Sequence, residues 1–352
     1  VYNRNGGHIA MKKPERKLSK RLIAIIVTVA AAAVIVVSLL ITNIFIPVRY
    51  LTAYCVSANK NTQGTLRVNF IDVDFGDCTL IELPDGKTVL IDGGDGSYPN
   101  MLKVLRFLNS RGVNGIDYLV CTSVADEHCG GLAEIVRLKE VRYAYIPHCL
   151  NTHVTAEYHS FITALNEREV PNSIASVGEG IASEEYGYFL TFLSPSNYLS
   201  PKSEYADLNE KATTESIENA SAVTYLNCNG RAFVFTSDVR NTALKRMTEE
   251  FLACEQLGQP YCRVGDNSVN LREVSVVTAP AHAGKNNTYA PWYDLIKPSE
   301  TVISVGKSFA DYPSLTALSD ICNYCKPYYT MYDGDITFTV NGGEYAVTKS
   351  KN

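Results

Sequence analysis

The sequence predicts an α/β domain built from two β-rich halves, standing behind a single transmembrane helix. Three observations carry that reading. Residues 22–46 form an apolar run without charge, proline or glycine. From residue 65 onward, strand-length and helix-length patterns alternate. No repeat with a period of about 20–50 residues is visible, and two β-rich halves with helices suggest one domain of two sheets rather than two independent domains. A length of 352 residues, 46% apolar and 20% charged, supplies a core and excludes a disordered chain.

Charge is divided unevenly. Residues 1–21 hold seven bases (Arg4, Lys12, Lys13, Arg16, Lys17, Lys20, Arg21) and one acid, Glu15, for +6; of the totals of 32 bases and 37 acids this leaves 25 and 36, or −11. A main part this acidic argues against a nonspecific nucleic-acid binder driven by a basic surface. Met11-Lys12-Lys13 reads as a start, so residues 1–10 are set aside as upstream sequence. As a helix, residues 22–46 would extend about 37 Å at 1.5 Å per residue, enough to cross a bilayer with some tilt. A buried core helix would not be apolar on every face over this length. The run is too long for a signal-peptide core and no small-x-small site ends it, so an uncleaved anchor is expected. The positive-inside rule then makes residues 1–21 a cytoplasmic basic tail and places everything after residue 47 outside the cell. Residues 47–64 are a tether and 65–352 the folded domain.

Within that domain, Leu66–Asp72 alternates as a half-buried strand does. Cys78–Leu83 and Thr88–Ile91 are strands joined by a tight turn at Pro84-Asp85-Gly86-Lys87. Asn100–Arg111 has helical spacing (Leu102, Leu105, Phe107, Leu108), with Gly112 where a C-terminal cap belongs. Ile116–Thr122 is an apolar strand of the kind covered on both faces. Gly130–Leu138 restarts as a helix and Tyr143–Ile146 as a strand. The second half predicts strands at Phe189–Ser194, Ala222–Asn227, Arg231–Ser237, Val274–Ala279 and Thr301–Val305. It predicts helices near Thr242–Leu257, Pro291–Ile296 and Leu315–Cys325, a closing hairpin, and a long polar loop over Ser196–Asn219.

Several stretches then line up with a known pattern. They are Phe70-Ile71-Asp72-Val73-Asp74-Phe75-Gly76-Asp77-Cys78, Leu90-Ile91-Asp92-Gly93-Gly94, Asp117–Thr122 leading to Gly130-Gly131-Leu132, Asn219-x-Ser221, Phe235-Thr236-Ser237-Asp238 and Pro280-Ala281-His282-Ala283-Gly284. In order and spacing, from about residue 65 to 348, the chain resembles the metallo-β-lactamase superfamily, and specifically the extracellular domain of DNA-internalisation competence proteins. The resemblance implies an αββα sandwich of two mixed β-sheets flanked by helices.

It also implies a metal site, and here the motif is degenerate. The family's H-x-H/D-x-D-H falls on Ser123-Val124-Ala125-Asp126-Glu127-His128. Alanine cannot coordinate and a neutral serine hydroxyl is a poor zinc ligand, so Ser123 and Ala125 are lost ligand positions. Ala281 is another, where the family's P-H-H-G has its first histidine. Asp74 and Phe75 replace a Gly-Gln pair, with Phe75 expected to fill space, and the C-terminal histidines give way to Ala310-Asp311-Tyr312-Pro313-Ser314. What remains is Glu127, His128, Asp238 and His282, two imidazoles and two carboxylates, a set that suits one divalent ion such as zinc. A plain structural role stands beside that reading: the same positions could keep polar residues for hydrogen bonding, with no ion. Asp126 is expected to point away on an extended loop. His148, His153 and His159 read as surface histidines, with His148 as a stand-in ligand the alternative.

Ten cysteines, all beyond the anchor, sit where disulfides are permitted. Cys78, Cys121 and Cys129 read as small core residues; a crosslink between Cys322 and Cys325, or Cys254 and Cys262, is left open. The favoured function is a catalytically impaired surface binding or scaffold protein with an unidentified protein or cell-surface partner. The alternatives are a single-zinc hydrolase of phosphodiesters or other esters using a metal-bound water, and a DNA-handling partner, which the charge disfavours.

Overall fold

In the computed structural model, residues 19–45, 47–147, 155–196, 213–285, 287–307 and 311–351 are described. The chain divides into two units, the first ending at Leu51 and the second beginning at Thr52. In the first unit, Lys20–Phe45 is one α-helix, apolar and long enough to cross a membrane. The tail before Ser19 and His148 and His153 lie outside the described residues.

In the second unit, period-two patterning gives each sheet two apolar faces. One sheet has eight strands in the order β17-β16-β1-β2-β3-β4-β5-β6. These are β1 Leu66–Phe70, β2 Thr79–Glu82, β3 Thr88–Ile91, β4 Gly115–Val120, β5 Glu140–Ile146, β6 Asn172–Ile174, β16 Ile336–Asn341 and β17 Glu344–Lys349. The other has seven in the order β15-β14-β13-β10-β9-β8-β7. These are β7 Gly180–Ser183, β8 Tyr188–Ser194, β9 Val223–Cys228, β10 Arg231–Phe235, β13 Val274–Thr278, β14 Glu300–Ile303 and β15 Lys326–Tyr329, while β11 Arg263–Val264 and β12 Asn267–Ser268 pair as a separate small hairpin. Strands β3 to β6 pair in parallel, as do β10, β13, β14 and β15, while the remaining pairs are antiparallel. Both sheets are therefore mixed.

The faces follow from single residues. Val68, Phe70, Ile81, Leu83 and Phe338 from the first sheet share one buried cluster with Leu190, Phe192, Leu226, Phe233 and Phe235 from the second, which makes the inter-sheet core. The alternate residues of the second sheet, Phe189, Tyr225, Ala232 and Val234, instead pack with Leu244, Met247 and Phe251 of helix Asn241–Gln256 and with Trp292 of helix Ala290–Ile296. Helices Tyr98–Ser110, Leu132–Leu138 and Ala156–Glu167 bury their own apolar stripes beside the first sheet. The arrangement is the αββα sandwich that the resemblance implies.

Two expectations need correcting, and one question left open is answered. Asp126 is not on an extended loop: Asp126–Cys129 closes one helical turn, because the Ala125 carbonyl accepts from both His128 N (3.0 Å) and Cys129 N (3.0 Å). The loop over Ser196–Asn219 ends in a helix, Thr214–Asn219, started by a capping box in which Thr213 and Ser216 satisfy each other's backbone N–H groups. Neither cysteine pair is linked. Cys254, Cys262, Cys322 and Cys325 are free thiols, with Cys262 Sγ buried near Thr191 Oγ1 (3.6 Å) and Cys325 Sγ against Thr301 Oγ1 (2.8 Å). Cys129 is fully buried, and burial pushes its thiol up to about 12, in keeping with a packing role.

Candidate metal centre

The site forms where parallel strands of both sheets end. In the first sheet, β3 and β4 are neighbours in register at Ile91 and Val120, and just past those ends the Asp92 side chain reaches Thr122, two residues beyond Val120. The Asp92 carboxylate accepts from the Thr122 N–H (2.8 Å) and hydroxyl (2.5 Å). In the second sheet, β10 and β13 are parallel neighbours, and Thr236 and Thr278 lock their ends through hydroxyl and backbone hydrogen bonds. The next residues along each strand lead to Asp238 and His282. The Thr122 and Ser237 hydroxyls, 2.7 Å apart, join the two strand ends across the sandwich.

His128 is completely buried between two carboxylates. Its Nδ1 lies 2.9 Å from Asp92 Oδ2, which fixes the proton on Nδ1 and leaves Nε2 directed at Asp238. Nε2 is 2.9 Å from Asp238 Oδ2, an ion-pair distance, yet makes no hydrogen bond. On the far side of Asp238, His282 Nε2 is 3.4 Å from Oδ1 and also has no hydrogen-bond partner, while His282 Nδ1 donates to the Ser304 carbonyl at 2.8 Å. The two imidazole rings are 5.5 Å apart, their planes inclined at 29°.

Electrostatics follow from this enclosure. Burial alone would lower the His128 pKa, but Asp238 and then Asp92 outweigh it and hold the ring well above the ordinary histidine value. Burial would raise Asp238, yet the neighbouring imidazole of His128, then that of His282, bring it to about 2. Burial holds Asp92 above the usual aspartate range despite His128 and Thr122. The centre therefore demands a positive charge between its carboxylates, as a proton or as a cation.

Backbone strain marks the same place. Nine described non-glycine residues have positive φ, and six of them (Asp74, Asp92, Ser237, Ala281, His282 and Ala283) surround this centre. Strain of this kind costs about 1–3 kcal/mol per residue and persists where the surrounding structure imposes it. At residues 281–283 three successive left-handed residues aim the His282 ring, with Ala281 N–H anchored on the Ser237 carbonyl at 2.9 Å.

Of the residues singled out from sequence, Glu127, His128 and Asp238 place one ligand atom each within 4.8 Å of one another, and His282 reaches the same carboxylate. Ser123 is buried, with its hydroxyl accepting from Ala125 N–H at 3.3 Å, and Ala125 has no donor to offer. Ala281 is buried beside its histidine. Asp126 turns away toward Thr155 and Glu157. His159 is exposed on helix Ala156–Glu167, away from the centre's contacts. Phe75 does fill space: its ring lies 4.6 Å from that of His282 and 5.1 Å from Tyr312. Sequence reasoning gave no role to Asp77 or Asp92, although both stand in motifs it quoted. The available signal was an acid directly after a glycine or a strand end.

Two buried imidazole nitrogens without hydrogen-bond partners, facing an ionised carboxylate with a second acid close by, are a donor set that fits a divalent cation.

No family model matches the chain, and no curated protein matches it either. Among solved structures it is similar to a mutant of the CmlA beta-hydroxylase, at 13% identity over 80% of this chain, with a TM-score of 0.45; the chain covers 55% of that protein's length. It is similar to the metallo-beta-lactamase fold protein YhfI from Bacillus subtilis, at 8% identity over 78% of this chain and 100% of the other, with a TM-score of 0.45. A metallo-beta-lactamase from Cronobacter sakazakii (Enterobacter sakazakii), a HARLDQ-motif mutant, matches at 14% identity over 53% of this chain and 72% of its own, with a TM-score of 0.33.

Proposed function

We propose that this chain is a membrane-anchored, outward-facing domain that holds one divalent cation, zinc first, through Glu127, His128, Asp238 and His282. In this reading it acts as a surface binding or scaffold protein rather than an efficient hydrolase. The observation that carries the reading is the pair of buried Nε2 atoms of His128 and His282, both on Asp238 and both without hydrogen-bond partners. A single bound ion of this class polarises an ester and acidifies water, but it cannot supply a paired-metal clamp. Ser123, Ala125 and Ala281 stand where the resembling competence-protein domains keep ligands, and Phe75 lies over His282, which supports impaired chemistry.

A second reading, a single-metal hydrolase of phosphodiesters or other esters, is favoured by the six strained residues around the centre, because strain gathers at working sites. The bases before Lys20 and the apolar helix Lys20–Phe45 support the anchor and its orientation.

Metal analysis of the detergent-solubilised full chain, beside His282→Gln and Asp238→Asn, tests the main reading. We expect about one equivalent of zinc in the parent and a clear loss in both variants; equal, negligible zinc in all three would overturn it. Turnover of bis(p-nitrophenyl) phosphate that disappears with chelator would replace the scaffold reading by the hydrolase. Protease treatment of intact cells should cleave the main domain, whereas full protection would refute the outward orientation.

A further inference from the structure

We propose that Asp77 is an additional ligand of the same ion, supplied from a different loop and compensating for the donors missing at Ser123 and Ala125. The inference rests on the single-ion reading above and adds a residue to it. Asp77 Oδ2 comes within 3.9 Å of the His128 ring at Nδ1, the nitrogen turned to Asp92, so it flanks the imidazole rather than facing Nε2 head-on, and Asp77, His128 and His282 still each bring one ligand atom within 4.8 Å of the others. This second triad shares His128 with the first, formed by Glu127, His128 and Asp238. The shared histidine and His282 are the two residues whose buried Nε2 atoms lack hydrogen-bond partners.

The loop that carries Asp77 is held there at both ends. Asp77 N–H donates to the Glu127 carbonyl at 3.2 Å, and the Asp77 carbonyl accepts from Gly94 N–H at 2.9 Å. Gly76 permits the approach, since a Cβ at that position would sit 2.2 Å from the Glu127 carbonyl oxygen. Two residues earlier, Asp74 is packed so closely on Gly306 that a Cβ there would meet its carboxylate at 2.1 Å. Phe75 between them lies against His282, the two rings 4.6 Å apart and inclined at 45°. The side chain is half-buried, so it reaches the centre while keeping one edge toward solvent.

Charge balance points the same way. Asp77, Glu127, Asp92 and Asp238 converge on two imidazoles, and Arg240, which acts on Asp238 electrostatically, is already paired with Glu218 at 2.8 Å. With Asp77 included, the donor set becomes two nitrogens and three carboxylates, richer in oxygen than a structural zinc site and open to more than four bonds.

The test uses the full chain in detergent, stripped of metal, with zinc affinity measured by competition against a chromophoric chelator. Asp77→Asn keeps size and loses the charge; Asp126→Asn removes a neighbouring acid that faces away. We expect Asp77→Asn to weaken zinc binding by about tenfold or more and Asp126→Asn to leave it unchanged. Equal affinity in the parent and Asp77→Asn would overturn the inference while leaving the single-ion reading intact. A parent that binds no zinc would end both. Asp77→Cys gives a direct readout: with cobalt(II) it should gain a thiolate-to-metal charge-transfer band absent from the parent and from Asp126→Cys. No added band would also refute ligation. Unfolding of each metal-free variant, followed through the sole tryptophan, Trp292, identifies any variant that fails to fold.

Discussion

Gly76→Ala is the sharpest probe of how this centre is assembled. Gly76 has φ +115, and an added Cβ would lie 2.2 Å from the Glu127 carbonyl oxygen and 3.0 Å from its carbon. Both are backbone atoms, so no side chain can swing aside. The two loops must separate, and separation breaks the Asp77 N–H to Glu127 carbonyl hydrogen bond. The backbone conformation alone costs alanine about 1–3 kcal/mol, and leaving a buried backbone group unpaired costs about 1–3 kcal/mol more. Gly86→Ala is the control: Gly86 has φ +87 but nothing within 4 Å of an added Cβ, so only the conformational part applies. Urea unfolding monitored by Trp292 fluorescence, which reports on the main domain alone because the chain has one tryptophan, should place Gly76→Ala about 1–3 kcal/mol below Gly86→Ala. Zinc affinity should fall in Gly76→Ala and hold in Gly86→Ala. If the two variants unfold within about 0.5 kcal/mol of each other, the close approach of these loops is not what holds them, and the reasoning fails.

Further outcomes follow from the same geometry. Because His128 is held protonated by Asp238 and Asp92, an ion must displace that proton; on the acid side of the raised pKa, zinc affinity should climb by up to about tenfold per pH unit, and a flat profile would refute the displacement. Phe75→Ala should speed removal of the ion by chelator without lowering the amount bound, because the ring covers His282; an unchanged rate would show that the ring is no barrier. Lys139 is buried on neutral acceptors, its Nζ donating to Asn109 Oδ1 (2.6 Å) and the Val113 carbonyl (2.7 Å), and burial lowers its pKa from 10.5 to about 8. Between those values the unfolded chain binds the extra proton, so stability should rise with pH in the parent and lose that rise in Lys139→Met. Parallel pH profiles of unfolding for the two proteins would sink that account.

Much of the fold could be read from the chain because the signals are local. Thr88–Ile91 is a strand as expected, the helix read at Asn100–Arg111 runs Tyr98–Ser110, and Gly112 takes the left-handed conformation that ends it. Helix Ala156–Glu167 went unread because its buried residues, Tyr158, Phe161, Ala164 and Leu165, are interleaved with polar ones and its start is marked only by Thr155. Strands β6, β7 and β15 are short and partly exposed, so they lack the apolar alternation that marks the others. At the centre, residue types named Glu127, His128, Asp238 and His282 as candidates, but an acid such as Asp77 or Asp92 looks the same in sequence whether it faces solvent or a histidine.

Composition and pattern by themselves determined an apolar run of membrane-spanning length and an acidic domain of alternating strands and helices. Those properties depend on residue type and near neighbours. Only the tertiary structure decided that the ends of β3 and β4 meet those of β10 and β13, that Asp92 and Asp238 enclose His128, and that Asp77 reaches it past Gly76. These contacts join residues far apart in the chain, and their distances are set by how two sheets pack, which no local pattern encodes.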